Sequence, residues 1–218
     1  MSKKIYLSPS NQDGNLYAWG NTNEMVQCNR IAEAAKKALL RCGFIVKKAP
    51  EGQAMRKSID ESNAWGADLH IPIHTNAGGG EGTVVFVWKD FGEMHKIATA
   101  IYNSVQAVSP GKTDYGVREA DFAELSDTYA FAAYVEVDFH DNAEIAKWII
   151  NHVNEIGEAI AKGVCNAYGV TYVKPEPVSD VFYRVQVGAY NSRRNAEAFL
   201  KEVQKAGFPN AFIVEVKR

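Results

Sequence analysis

At 218 residues, 46% of them hydrophobic, the chain is long enough to bury one sizeable core and carry a small appendage, which excludes a mainly disordered protein. A formal net charge of −2 with no clustered Lys/Arg block gives no general attraction to nucleic acid or acidic membranes, and no apolar run reaches membrane-spanning length. Cys28, Cys42 and Cys165 are odd in number, lack metal-type spacing, and read as buried or half-buried free thiols.

The chain opens directly into a strand over residues 4–8, stopped by Pro9, instead of a signal-peptide core, so it is expected to be cytoplasmic when made. Residues 10–15, Ser-Asn-Gln-Asp-Gly-Asn, form a polar loop of turn formers. Asn21 and Thr22 are expected to cap a helix in which Met25, Cys28, Ile31, Ala32, Ala35, Leu39 and Leu40 recur at helical spacing, with Gly43 as its stop. Residues 44–48 read as a second strand, and 55–65 as a second helix with Ile59 and Trp65 facing inward.

Residues 67–80, Ala-Asp-Leu-His-Ile-Pro-Ile-His-Thr-Asn-Ala-Gly-Gly-Gly, hold the stretch that organises the rest. Leu69, Ile71 and Ile73 alternate with polar positions, as in a strand with one face on a core, and His74 stands where that strand gives way to a glycine-rich loop. Ligands of open α/β sheets bind outside such strand ends. The glycines lack the Lys-Ser/Thr of a phosphate cradle and precede a strand, so they read as a flexible loop; a flavodoxin-like nucleotide binder is disfavoured because no phosphate motif follows the first strand.

Residues 83–88 form a β-rich run, a third helix carries Met94, Ile97, Ala98, Ile101, Val105 and Val108, and Pro110-Gly111 ends it. Residues 115–125 read as mixed loop and short strand, and 131–137 as a buried strand. One long helix follows, with a stripe from Ile145 to Ala167 closed by Gly169. The alternation predicts an α/β fold, a mostly parallel twisted sheet with helices on both faces, over residues 1–170. A linker at 171–180 leads to a small C-terminal βαβ segment at 181–218, with strands at 181–187 and 211–216 and a helix at 192–205. So short a segment is expected to dock on the main domain or to pair with another copy as a homodimer.

Three strands end in groups that bind metal or move protons: Asn11-Gln12, His74 and Glu136. Glu24 joins them from the first turn of a helix, whose positive end favours a carboxylate. A histidine, a carboxylate and one further ligand leave an open position for water on Zn2+. Glu136 interrupts a very apolar strand, where a carboxylate is costly to bury without a task or partner. His70 reads as structural, because residues four apart on a strand lie ~13 Å apart. His95 and His140 read as solvated, and His152 as a satisfied core histidine. Tyr17, Trp19 and Tyr115 pack by default, although each is able to stack on a sugar.

Ser8-Pro9-Ser10-Asn11, Glu24, Ile71-Pro72-Ile73-His74-Thr75-Asn76-Ala77 and Val135-Glu136-Val137-Asp138-Phe139 resemble, in content and order, the zinc-dependent N-acetylmuramoyl-L-alanine amidases of autolysins, sporulation enzymes and phage endolysins. The resemblance covers about residues 3 to 170. It implies Glu24 and His74 as ligands of Zn2+, Glu136 as catalytic acid/base, and Asn76 and Arg118 as substrate contacts. The family's first metal-binding His falls at Asn11, with Gln12 beside it, and an amide oxygen is a weaker zinc ligand than imidazole. The metal would then be completed by Asn11, Gln12 or a water, or be lost. Tyr183 to Tyr190, with Ala196-Glu197 and Gly207-Phe208, resembles half of a SPOR domain, a module that binds peptidoglycan glycan strands.

The resemblance thus implies a peptidoglycan hydrolase that cleaves the N-acetylmuramoyl-L-alanine amide bond with metal-activated water and acts on the cell wall after release. The alternative is a degenerate amidase that binds peptidoglycan without cleaving it. Peptidoglycan is the expected partner, with no nucleic acid and no membrane.

Overall fold

A computed structural model of the chain describes residues 2–176 and 185–216. The chain divides into two compact units, Met1–Pro175 and Glu176–Arg218. Among the described residues no helix is long and apolar enough to cross a membrane.

The first unit runs β1 (Lys4–Pro9), α1 (Glu24–Arg41), β2 (Ile45–Lys48), α2 (Met55–Trp65), β3 (Leu69–Asn76), β4 (Val84–Val87), α3 (Gly92–Gln106), β5 (Val117–Glu119), α4 (Ala123–Ser126), β6 (Phe131–Ala132), β7 (Tyr134–Phe139), α5 (Ala143–Asn151) and α6 (Val153–Tyr168). The sheet order is β2-β1-β3-β7-β4-β5, with β6 beside the start of β3. Only the β4–β7 pairing is antiparallel, so the sheet is mostly parallel, as the alternation of elements predicts.

Strand alternation sorts β1 and β3 between two layers. Ile5, Leu7, Leu69, Ile71 and Ile73 enter the main core with Ile31, Ala35 and Leu39 of α1, Ile97 and Ile101 of α3, and Ile156 and Ile160 of α6. On the other face Tyr6 donates to Glu61 of α2 at 2.9 Å, and Ser8 donates to Glu124 of α4 at 2.5 Å. β3 is therefore buried on both faces, from Leu69 through Thr75, and not on one as its alternation predicts. The polar alternate residues face α2 and α4, not water.

Other boundaries also differ from the sequence reading. The N-cap of α1 is Asn23, whose side chain accepts from the Val26 amide, while Asn21 adopts a φ of 47° before the helix begins. The apolar run at 131–137 breaks at buried Ala133 into β6 and β7. The expected single long helix breaks at His152, a half-buried residue at φ −117° and ψ 23° whose Nδ1 lies 2.7 Å from the Trp148 carbonyl oxygen. The apolar stripe continues across the break, which is why periodicity alone does not reveal it.

Two further loops meet beside β7. Asp138, fully buried, accepts from the amides of Gly82 at 2.7 Å and Gly111 at 3.2 Å and from the Ser109 hydroxyl.

In the second unit, α7 (Arg193–Lys205) carries Ala196, Phe199, Leu200 and Val203 as its half-covered stripe, and none of its residues is buried. The expected strand at 211–216 is not formed, since among the described residues no neighbouring strand supplies its ladder. Of the strand expected at 181–187, residues 181–184 lie outside the described residues and 185–187 are irregular.

Close packing of α6 on α1 depends on Gly157: a Cβ there would stand 2.5 Å from Ala34 Cβ and 2.6 Å from the Ala35 nitrogen. Gly157→Ala is therefore expected to lose ~1–3 kcal/mol of stability to overpacking, although Ala is the better helix former by ~1 kcal/mol. Thermal denaturation checks this, and a Tm at or above wild type would refute the close approach.

Candidate active site

Parallel pairing places His74 of β3 directly beside Glu136 of β7, on one face of strands ~4.8 Å apart. The register then shifts by one residue before Asn76 meets Phe139, a bulge at the edge of the site. From the other side, α1 begins at Glu24, where the unpaired amides of the first turn favour a carboxylate. Glu24 Oε1 lies 2.7 Å from His74 Nδ1, and Oε2 accepts from Asn15 Nδ2 at 2.7 Å. The same Asn15 amide donates to Gln12 Oε1 at 2.7 Å, and Gln12 Nε2 lies 3.5 Å from His74 Nδ1. Tyr134 stacks on the His74 ring, with centroids 4.4 Å apart.

The two carboxyls are driven in opposite directions. Burial pushes Glu24 up, but the hydrogen bond and charge of His74, with help from Asn15, bring it below its ordinary value. Glu136 is pushed up to about 8, first by burial and then by the neighbouring Glu24 carboxylate. Its Oε2 is sealed from solvent without a hydrogen-bond partner. Such a group keeps its proton near neutrality and is poised to exchange it.

The structure thus gathers Gln12, Glu24, His74 and Glu136. Asn11 is exposed, and its side chain hydrogen-bonds none of them; Gln12 takes the place beside His74. Asn76, half-buried at the end of β3, turns its Oδ1 to the Ala77 amide at 2.8 Å. Arg118 is exposed on β5, two strands beyond β7, with its guanidinium 5.0 Å over the Tyr115 ring. His140 is buried, not solvated: its Nδ1 lies 3.0 Å from Thr75 Oγ1, which is also 3.0 Å from the Tyr17 hydroxyl. Tyr17 stacks on His140 inside the protein, so it offers no surface to a sugar.

Sequence reasoning passed over Asn15, Tyr134 and Glu124. Asn15 looks like any turn residue in its loop, and Tyr134 like one more member of an apolar run. Glu124 lies in the segment read as mixed loop and short strand, yet it is buried, with Oε1 3.2 Å from His70 Nε2 and Oε2 3.9 Å from His74 Nε2.

Among the described residues no three His, Cys, Asp or Glu side chains are grouped to hold a metal ion. The donors that converge are one imidazole, one carboxylate and the Gln12 amide, beside the unpartnered Glu136 oxygen. Imidazole with oxygen donors suits a borderline cation such as Zn2+.

The family model for N-acetylmuramoyl-L-alanine amidase matches residues 10–166. The chain belongs to this amidase family. A SPOR domain model matches residues 171–217 of the amidase. It is 22% identical over 218 residues to the sporulation-specific N-acetylmuramoyl-L-alanine amidase of Bacillus subtilis (strain 168), covering 97% of this chain and 85% of that one. It is 26% identical over 217 residues to the N-acetylmuramoyl-L-alanine amidase CwlM of Bacillus licheniformis, covering 94% and 82%. The fold is shared with the amidase AmiC2 of Nostoc punctiforme at a TM-score of 0.69 and 16% identity, over 77% of this chain and 97% of that one.

The raised Glu136 carboxyl sets a pH dependence for the metal-free amidase. Its ordinary value is 4.5 and its folded value about 8, so between them the folded chain binds more protons than the unfolded chain. The contribution of Glu136 to stability therefore falls as pH rises across that window and is level on either side. In EDTA, Glu136→Gln is expected to gain Tm relative to wild type from about pH 5 to pH 8; melting curves that stay parallel throughout would contradict the buried-acid account.

Proposed function

We propose that this amidase hydrolyses the amide bond between the lactyl group of N-acetylmuramic acid and L-alanine in peptidoglycan, with Glu136 as the proton carrier. Peptidoglycan hydrolysis is the activity of the family to which the chain belongs. The observation that carries the assignment of roles is the orphaned, buried Glu136 oxygen beside the His74–Glu24 pair. In its ionised form, which burial and Glu24 disfavour in the metal-free chain and a neighbouring cation would favour, the Glu136 carboxylate can accept a proton from an attacking water and hand it to a departing amine without leaving its site.

Glu24 and His74 are proposed to hold Zn2+, with Gln12 as third donor in preference to Asn11, since only Gln12 reaches the histidine. Carbonyl and amide ends of glutamine are nearly isosteric, so a half-turn of the Gln12 amide would present its oxygen to the site, giving up the 2.7 Å bond that oxygen accepts from Asn15. Bound there, Zn2+ would lower the pKa of water to about 7 and polarise the scissile carbonyl. Asn15 steadies Glu24, and Tyr134 fixes the plane of His74. Asn76 and Arg118 are proposed substrate contacts, Arg118 at the outer side of the sheet.

We place the catalytic unit at residues 1–170, a linker at 171–180 and a wall-binding segment at 181–218. The SPOR match favours glycan binding by that segment, and the half-covered apolar stripe of α7, none of it buried, favours its pairing with a second copy. The chain would act at the cell wall after release.

The amide donor favours a second reading, a chain that binds peptidoglycan without cutting it. Dye release from labelled cell walls, run with metal analysis of the purified protein, separates the two. Hydrolysis predicts bound zinc and a loss of about a hundred- to ten-thousand-fold in release for Glu136→Gln, with zinc retained. Wall binding with no release by the zinc-loaded wild type would establish the second reading.

A further inference from the structure

Glu124 is a buried carboxylate for which the reaction, as proposed, has no use. It sits on α4, a single turn facing the second side of the sheet, and is 4% exposed. Removing a carboxylate from water is costly unless its oxygens are hydrogen-bonded or paired, so its surroundings should show what it is for.

Oε1 has two partners. The Ser8 hydroxyl donates to it at 2.5 Å, and His70 Nε2 lies 3.2 Å away. His70 is fully buried, stacked on Tyr6 with the rings 5.3 Å apart, and its Nδ1 has no hydrogen-bond partner. Its proton therefore belongs on Nε2, facing Glu124, which makes His70 a donor that anchors Oε1. Oε2 stands 3.9 Å from His74 Nε2. That distance exceeds a direct hydrogen bond, but the pair is shielded from water, where an N–H facing a carboxylate is held more strongly than at a surface.

His74 thus lies between two carboxylates, with Glu24 at Nδ1 and Glu124 at Nε2. The ring is clamped in plane by Tyr134, which leaves its rotation about that plane to the groups at its two nitrogens. We infer that Glu124 is a positioning residue for His74: in the metal-free chain the ring shares its Nδ1 proton with Glu24, and when Nδ1 gives up that proton to bind a metal the ring proton sits on Nε2, where Glu124 faces it. His70 and Ser8 hold Glu124 in place from the neighbouring strand positions, so three residues, one each from β1, β3 and α4, act on one imidazole nitrogen. Histidines that bind metals depend on such a partner at the second nitrogen, and losing it weakens metal binding about 10- to 100-fold.

The inference rests on His74 being a zinc ligand, so the test treats the two claims separately. Zinc affinity of the full chain is measured by competition with a chromophoric chelator, with Tm recorded for every variant. Glu124→Gln keeps the volume and the acceptor for Ser8 but turns a donor toward His74; it is expected to bind zinc about 10- to 100-fold more weakly with Tm close to wild type. Thr128→Val removes the 2.7 Å bond from Thr128 Oγ1 to the Glu124 carbonyl, loosening α4 without touching the carboxylate. It is expected to lower Tm and leave zinc affinity within twofold. Equal losses of affinity in both variants would reduce Glu124 to an anchor of α4 and overturn the inference, as would unchanged affinity in Glu124→Gln. Should Glu124→Gln not fold, Glu124→Asp carries the same test, because it retains charge but withdraws it from His74; full affinity there overturns the inference too. His74→Ala in the same assay tests the underlying reading. Zinc held at wild-type affinity by that variant sinks the metal centre itself, whereas zinc lost there but kept by Glu124→Gln sinks only the positioning role.

Discussion

The contact between His74 and Glu24 is the constraint on which the carboxyl edge of the sheet depends. The two residues are 50 apart in the chain and come from different elements, the end of β3 and the first turn of α1. They meet because β1, β2 and β3 are parallel, so each crossover returns the chain to the same edge and α1 starts where β1 ends. Register makes this meeting sensitive to small errors. A slip of one residue in β3 would exchange His74 for Ile73 or Thr75 and invert both faces of the strand.

Around that pair the fold tolerates an unfavourable concentration of charge. Glu24, Glu124 and Glu136 all approach His74, and Oε2 of Glu136 is sealed from solvent without a hydrogen-bond partner. The apolar layer on the opposite face of β1 and β3, built with α1, α3 and α6, offsets that cost and holds the strands in place. Stability and chemistry are thereby divided between the two faces of one strand: Leu69, Ile71 and Ile73 serve the core, and His70 and His74 serve the polar side. A histidine and a raised carboxyl on adjacent central strands are held by rigid elements, which fixes their separation.

Legibility in the sequence followed the strength of local pattern. The helix at 55–65 is plain because its apolar spacing is interrupted on cue by Gly66, whose φ of 67° ends it. His74, Glu24 and Glu136 stand out as polar residues at strand ends, at a helix start or inside an apolar run. Gln12 stands out only together with Asn11, and Glu124 not at all. Gln12 lies in a loop with no period, where choosing between it and Asn11 depends on the path of the backbone. Glu124 belongs to a four-residue helix too short to show a period, and its partners Ser8, His70 and His74 are brought to it only by the sheet. The same sheet explains why the polar half of β3 reads as a solvent face: alternation reports polarity, and here the polar residues are satisfied by other buried groups. In the second unit, strand propensity at 211–216 has no neighbour among the described residues to pair with, and propensity without a ladder leaves irregular chain.

The Asp138 clasp has a consequence for how this edge of the protein can vary. One carboxylate ties the turn after the glycine run to the turn after α3, and a side chain at Gly111 would run into the backbone at Gly82. The two turns are in effect a single rigid lip, fastened to the strand that carries Glu136 two residues earlier. Evolution or engineering can therefore redecorate its outward tips freely, but lengthening either turn at the knot would drag β7, and Glu136 with it.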